Sequence, residues 1–280
     1  MYMAIPDDFA GLPLDTPLIM GVLNVTPDSF SDGGENFLFE DALARGNAMI
    51  AAGASIIDIG GESTRPGASP VDEDDEIARV VPVIKALAAD GALVSIDTRN
   101  AEVMRASISA GARIVNDVTA LTGSESSIDV VASSDVDVIL MHMQGEPGTM
   151  QICPSYKNVV KEVGAYLASR IAACETVGIP RTRIAVDPGI GFGKTSQHNL
   201  ELIAQLDSLH SLGTPVVLGA SRKRFIGKIS DVGVAAERTF GSVAAVLAAR
   251  AKGVQIFRVH DVDETRQALS VWEAIYNVCR

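Results

Sequence analysis

Long apolar runs are missing from this chain: none approaches the ~18 residues that a membrane-spanning helix requires. Cysteine is scarce too. Cys153, Cys174 and Cys279 stand far apart and form no CxxC pair, which argues for a reducing compartment and against a disulfide frame or zinc site. Basic residues are outnumbered, with 23 Lys and Arg against 35 Asp and Glu and a formal net charge of −12. A chain this acidic lacks the field that would hold a nucleic-acid backbone or an anionic membrane. An anionic ligand must therefore be met by a few local cations. Met1–Leu14 carries acids, Pro6 and Pro13 but no basic stretch followed by an apolar one, so no signal peptide is read there. A cytoplasmic location is the expectation. No linker or low-complexity stretch interrupts residues 1–280, which argues for one domain.

What the sequence does have is regular alternation. Short apolar runs predict strands at Leu18–Asn24, Ser55–Gly60, Leu93–Asp97, Ile114–Asp117, Asp137–Met141, Ile184–Asp187, Pro215–Gly219 and Ile256–Val259. Helix-periodic stretches fall between and after them, at Phe39–Ala52, Asp72–Ala89, Ala101–Ala110, Ser127–Ser133, Val159–Val177, Asn199–Leu212, Val234–Ala251 and Val262–Asn277. Gly53, Gly111, Gly178 and Gly213 sit just past helical patterns, where a left-handed cap favours glycine. Strict strand–helix alternation implies right-handed crossovers and a parallel sheet. With 280 residues, 47% of them hydrophobic, the expected fold is a single α/β TIM (β/α)8 barrel with a core of about residues 18–277. A doubly wound open sheet is the rival.

Chemistry can enter strands buried on both faces only at their ends, and there the residues change character. The runs lead into Asn24, Asp97, Asn116, His142, Asp187, Ser221–Lys223 and Arg258–His260. The after-strand segments Val25–Leu38 and Glu62–Pro70 are long and rich in Gly, Pro and Ser, as functional lids often are. Asp58, Asp97 and Asp187 share one level of the expected barrel. A helix cap or a nearby Arg would explain any one of them alone. Together they predict a ligand rich in N–H groups, because buried carboxylates need donors. Lys223, Arg258 and His260 follow the seventh and eighth strands, where this fold commonly binds phosphate. Pairing with Asp261 and Asp263 is the competing explanation for Arg258. Carboxylates are expected on one flank of the site and cations on the other.

Other signals are weaker. GIGFGKT (Gly189–Thr195) fails the P-loop and GxGxxG spacings and is read as a turn held open for ligand approach. Ser221 is placed at the start of the seventh helix, where free N–H groups attract anions or a simple cap suffices. Asn24 alone is a weak Mg²⁺ ligand, although Mg²⁺ keeps waters and is often completed by substrate phosphates. His198 and His210 read as structural. His142 lines the pocket but has no partner marking it as a base. Asp72–Glu76 reads as the solvated first turn of a helix.

NVTPDSFSDGG (Asn24–Gly34), DIGGESTRPGA (Asp58–Ala68), SIDT (Ser95–Thr98), IVND (Ile114–Asp117), LMHMQG (Leu140–Gly145), DPGIGFGK (Asp187–Lys194), GASRKRFIG (Gly219–Gly227) and RVHD (Arg258–Asp261) resemble the dihydropteroate synthases of folate biosynthesis. The resemblance runs in family order from Leu18 to near the C-terminus. It implies condensation of 7,8-dihydropterin-6-ylmethyl diphosphate with 4-aminobenzoate. By motif match, Asp97, Asn116, Met141, Asp187, Phe192, Gly219 and Lys223 would hold the pterin. Asn24 would ligate Mg²⁺, with Thr64, Arg65, Arg258 and His260 on the diphosphate. Phe30, Pro66, Ser221 and Lys223 would frame the aminobenzoate, and Asp28, Phe30 and Ser31 belong to a first mobile loop. Asp97, Lys223, Arg258, His260 and Arg65 are the implied catalytic group. The family also implies sulfonamide binding and a homodimer through outer helices, with Val243–Ala249 a suitable face. A pterin-dependent methyltransferase domain and a pterin-binding paralogue without turnover are the rival functions. The first would have little use for Arg65, Arg258 and His260 together.

Overall fold

The computed structural model describes residues 4–26, 35–62, 71–146 and 148–278. A small antiparallel hairpin, β1 (Asp8–Phe9) and β2 (Leu12–Pro13), comes first. Eight parallel strands follow: β3 (Leu18–Asn24), β4 (Ile56–Gly60), β5 (Val94–Asp97), β6 (Ile114–Asp117), β7 (Asp137–Met141), β8 (Ile184–Asp187), β9 (Val217–Leu218) and β10 (Ile256–Val259). They pair in the order β8-β7-β6-β5-β4-β3-β10-β9. The outer strands meet through a Val186–Val216 bridge, where the Val186 N–H donates to the Pro215 carbonyl at 2.9 Å. The sheet therefore closes as a (β/α)8 barrel, and the open-sheet rival is set aside.

The helices are α1 (Glu35–Ala51), α2 (Glu73–Ala89), α3 (Ala101–Ala110), α4 (Ser127–Ala132), α5 (Val159–Thr176), α6 (Ser196–Ala204), α7 (Arg224–Ser230), α8 (Thr239–Arg250) and α9 (Val262–Val278). Gly53, Gly111, Gly178 and Gly213 all take positive φ, 102°, 116°, 92° and 68°, as their places after the helices require. Among the described residues no helix is long and apolar enough to cross a membrane.

Several expectations need correction. The hairpin was not foreseen, because two-residue strands carry no periodicity. It turns on Ala10 and Gly11, both at positive φ, and buries Phe9, Ala10 and Leu14 against inward residues of the barrel. The segment after β3 was expected to run to Leu38, but α1 already begins at Glu35. The helix expected at Asn199–Leu212 splits into α6 and a 3₁₀ segment, Leu206–Leu212. α7 was missed, being too short for a periodic signal. The long helix expected from Val234 begins only at Thr239.

Glu76 is another departure. Asp72 caps α2 by accepting from the Asp74 N–H at 3.0 Å, and Glu73–Asp75 are solvated as expected. Glu76, however, lies on the buried stripe with Val80, Val83 and Leu87. It is 0% exposed and accepts from Asn100 Nδ2 at 2.7 Å. Burial raises its carboxyl above the ordinary range.

The core divides by strand parity. One set of alternate strand residues, including Leu23, Ile57, Ile59, Ile96, Val115 and Leu140, packs under the helices. The other set, including Met20, Ile56, Ile114, Ile139, Ala185, Val217 and Ile256, fills the barrel. Ile59 is fully buried between β4 and the helices. Ile59→Ala should cost about 2–5 kcal/mol of unfolding free energy, the usual cost of such a cavity. A urea unfolding series on wild type and variant would measure it.

Candidate active site

Two residues beyond each apolar inward position, toward the C-terminal mouth, the barrel lining turns polar. Ile56 is followed by Asp58, Ile114 by Asn116, Ala185 by Asp187 and Ile256 by Arg258. Ile139 is followed by Met141, and Val217 by Gly219. The pairing register sets Asn24 beside Gly60, Gly60 beside Asp97 and Asp97 beside Asn116. Period-2 alternation thus aims these side chains at one point. Asp117, one residue out of phase, points away. It closes a turn by accepting from the Thr119 and Leu121 N–H groups at 2.7 and 2.9 Å.

Arg258 is the centre of this layer. Its Nε donates to Asp58 Oδ2 and its Nη2 to Asp97 Oδ2, each at 2.6 Å. Asn116 Nδ2 donates to the same Asp58 oxygen at 3.1 Å. The competing explanation for Arg258 fails: Asp261 pairs with Arg222, and Asp263 with Arg266. The expectation of separate carboxylate and cation flanks is corrected as well. The charges interleave: Arg258 sits between Asp58 and Asp97, bonded to both. Burial lifts the Asp97 carboxyl to about 7, with Arg258 pulling it back and Asp58 adding to the lift. Arg258 stays cationic, since Asp58 and Asp97 outweigh the cost of its burial. Asp58 Oδ1 and Ser95 Oγ, both buried, lack a hydrogen-bond partner among the described residues.

Asp187 shares this cavity. A methyl group on Gly219 would sit 3.4 Å from Asp187 Oδ2 and 3.9 Å from Arg258 Cβ, so only glycine leaves the space between them open. Burial raises Asp187, against the nearby Lys223, and burial lowers Lys223 to about 8, against Asp187. The Lys223 ammonium lies 4.6 Å from the Phe192 ring centroid and donates to the Ile190 carbonyl.

The glycine turn carrying Phe192 corrects another expectation. Gly189, Gly191 and Gly193 have φ of 69°, 84° and 61°. A Cβ on Gly189 would lie 1.9 Å from the His142 carbonyl oxygen, and one on Gly193 2.3 Å from that of Gln144. At Gly189 and Gly193 the close approach is by the protein's own backbone, while Gly191 faces the Lys223 side chain. Lys194, which sequence reasoning passed over, joins the two segments. Its Nζ donates to the Phe192 carbonyl at 2.9 Å and the His142 carbonyl at 3.3 Å, and meets His142 Nδ1 at 2.9 Å. Burial and Lys194 drive His142 down to about 3, which removes it as a base near neutrality. His198 completes a capping box with Thr195, and His210 bonds the Lys252 carbonyl, so both are structural as expected.

Ser221 does not open a helix, since α7 starts at Arg224 with Lys223 at its cap. Its Oγ instead accepts from the His260 N–H at 3.2 Å and meets His260 Nδ1 at 3.0 Å. Asp28, Phe30, Ser31, Thr64, Arg65 and Pro66, with the two loops expected to be mobile, lie outside the described residues.

The Asn24 amide lies near Asp97: a methyl group on Gly60 would be 3.8 Å from Asn24 Oδ1 and 3.6 Å from Asp97 Cβ. Among the described residues, no cluster of His, Cys, Asp and Glu could cage a metal. One neutral amide oxygen at the end of β3 fits Mg²⁺, which keeps waters and accepts substrate phosphate oxygens.

Comparison with known proteins agrees with this site. A family profile described as pterin binding enzyme matches residues 20–260. Dihydropteroate synthase of Escherichia coli K12 is 47% identical over 264 residues, covering 94% of this chain and 93% of that protein. The Xanthomonas albilineans dihydropteroate synthase structure with 4-aminobenzoic acid superposes with a TM-score of 0.89 at 48% identity, covering 95% of each chain. The same organism's enzyme in complex with 7,8-dihydropteroate gives 0.87 at 45% identity, again covering 95% of each. On sequence, fold and coverage together, the chain belongs to the dihydropteroate synthase family of pterin-binding enzymes.

Proposed function

We propose that this chain condenses 7,8-dihydropterin-6-ylmethyl diphosphate with 4-aminobenzoate, releasing 7,8-dihydropteroate and diphosphate. The observation that carries the reading is the interleaved cluster at the barrel mouth: Asp58, Asp97, Asn116 and Asp187 around Arg258 and Lys223. A pterin presents amino and ring N–H groups, which carboxylates and an Asn amide suit, and a flat face for Phe192 and Met141. The relatives' complexes with 4-aminobenzoic acid and 7,8-dihydropteroate support the same pair of ligands.

In the mechanism we infer, the bond from the pterin methylene carbon to the diphosphate oxygen breaks first, and its electrons leave with the diphosphate. The arylamine nitrogen then bonds that carbon and gives up a proton. Arg258 and His260 stabilise the departing charge, together with Thr64 and Arg65. Asp97, ionised, favours the positive charge that spreads into the pterin. Ser221 and Lys223 orient the aminobenzoate, with Phe30 and Pro66 shaping its slot. Asp28, Phe30 and Ser31, by the family resemblance, would help exclude water from the cation. Asn24 would hold Mg²⁺, which when bound neutralises diphosphate charge. No covalent enzyme intermediate is needed.

We also infer a homodimer. Within the expected face Val243–Ala249, Val246 and Ala249 are buried inside the subunit, while Ala244 and Ala248 are exposed. Larger exposed apolar side chains nearby include Phe240 on α8, at 90%, and Val271 and Ile275 on the adjacent α9, at 61% and 65%. Exposed apolar side chains on two neighbouring helices suit self-association. Light scattering should give twice the chain mass, and Phe240→Asp should give monomer; a monomeric wild type rejects the dimer.

An assay of diphosphate release should require both substrates and fail when either is omitted or Mg²⁺ is chelated. Quenched samples should hold no pterin–protein adduct. Release without 4-aminobenzoate, at the full rate, would contradict the reading. Asp97→Asn should fold normally and lose roughly hundredfold in kcat, the scale of removing one charge-stabilising group. Ionised Asp97 and protonated Lys223 are both needed, so kcat/KM should rise with pH through about 7 and fall above about 8. Asp97→Asn should abolish the rising limb; an unchanged limb would remove Asp97 from that role.

A further inference from the structure

Between Ser221 and Lys223 lies Arg222, which the mechanism does not use. It is a non-glycine residue at φ 60°, a left-handed conformation that is uncommon for a long side chain. Three contacts hold it there. Its N–H donates to Ser242 Oγ at 2.8 Å, and its carbonyl accepts from Arg238 Nη1 at 2.9 Å. Its guanidinium forks onto Asp261, with Nε 3.1 Å from Oδ2 and Nη2 on Oδ1. Asp261 is 8% exposed and follows His260 directly. The left-handed turn sends Arg222 sideways to the neighbouring loop. Ser221 and Lys223, on either side, then face His260 and the Phe192 wall.

Among the described residues, Arg222–Asp261 is the one ion pair joining the loop after β9 to the loop after β10. We propose that this pair is a cross-loop latch. It sets the spacing between Ser221 and Lys223 on one side and Arg258 and His260 on the other. Arg222 and Asp261 are thus positioning residues for bringing aminobenzoate and the leaving diphosphate into line. A bidentate fork suits the task because it fixes angle as well as distance, which a single contact or a lysine would not. The inference rests on the functional reading above.

Arg222→Gly tests it cleanly, because glycine keeps the positive φ without strain and removes only the side chain. It should still fold, with a melting temperature a few degrees lower because Asp261 loses its partner, while kcat falls roughly tenfold to hundredfold, the scale of an ångström of misplacement. Asp261→Asn should behave alike, the double variant should be no worse than the weaker single, and Arg222→Lys should recover part of the loss. Wild-type kcat and KM in Arg222→Gly, or fully additive losses in the double variant, would overturn the latch. Titration with inorganic diphosphate gives a second reading without turnover. Arg222→Gly should bind it several-fold more weakly, and equal affinity counts against the latch. A wild type that binds diphosphate but makes no dihydropteroate would sink the functional reading alone.

Discussion

The arrangement rests on one arginine held between carboxylates. Arg258 spans from β10 to Asp58 on β4 and Asp97 on β5, and Asp58 in turn receives Asn116 from β6. None of these groups would be tolerated alone at that depth, since an unpaired buried charge costs several kcal/mol. Gathered together they are paired and hydrogen-bonded, and they fix one another's rotamers. This polar layer is therefore assembled by folding itself. A pterin arriving there would exchange partners with an existing network, so little reorganisation is required.

Around that layer, the loops are tied to each other more than to solvent. Lys194 stitches the segment after β7 to the glycine turn after β8, while Tyr156 donates to the Gly193 carbonyl at 2.8 Å and His142 packs edge-on to Tyr166. Phe192 is held in place from behind as a result, with Lys223 over its ring. Ser221–His260 and Arg222–Asp261 tie the next two loops in the same manner. In a chain with a formal net charge of −12, these few cations are gathered at the barrel mouth, Arg222 and Arg258 paired with carboxylates and Lys223 close to Asp187.

Much of this was legible in the residues. Alternating apolar runs and helix-periodic stretches foretold the barrel, and glycines after helices foretold their caps. The polar ends of the runs foretold Asp97, Asn116, Asp187, Lys223 and Arg258 as neighbours. Other features left no such trace. The hairpin β1–β2 and the helix α7 are too short for periodicity to register. Glu76 sits in an acidic run that looks solvated, yet falls on the helical stripe with Val80 and Val83, a phase that counting by four would have exposed. Parity would likewise have separated Asp58, which faces inward, from Asp117, which does not.

The sequence by itself determined the fold class, the mouth at which chemistry is possible and the residue types found there. These follow from local rules: hydrophobic period, turn chemistry and the exclusion of charge from strand interiors. Only the tertiary structure decided who pairs with whom. It put Arg258 on Asp58 and Asp97 rather than on Asp261, packed the glycine turn against His142 and Gln144, and aimed Arg222 across to the next loop. Those choices depend on barrel closure and register, which bring together side chains as far as 200 positions apart in the chain. No local pattern encodes such distances.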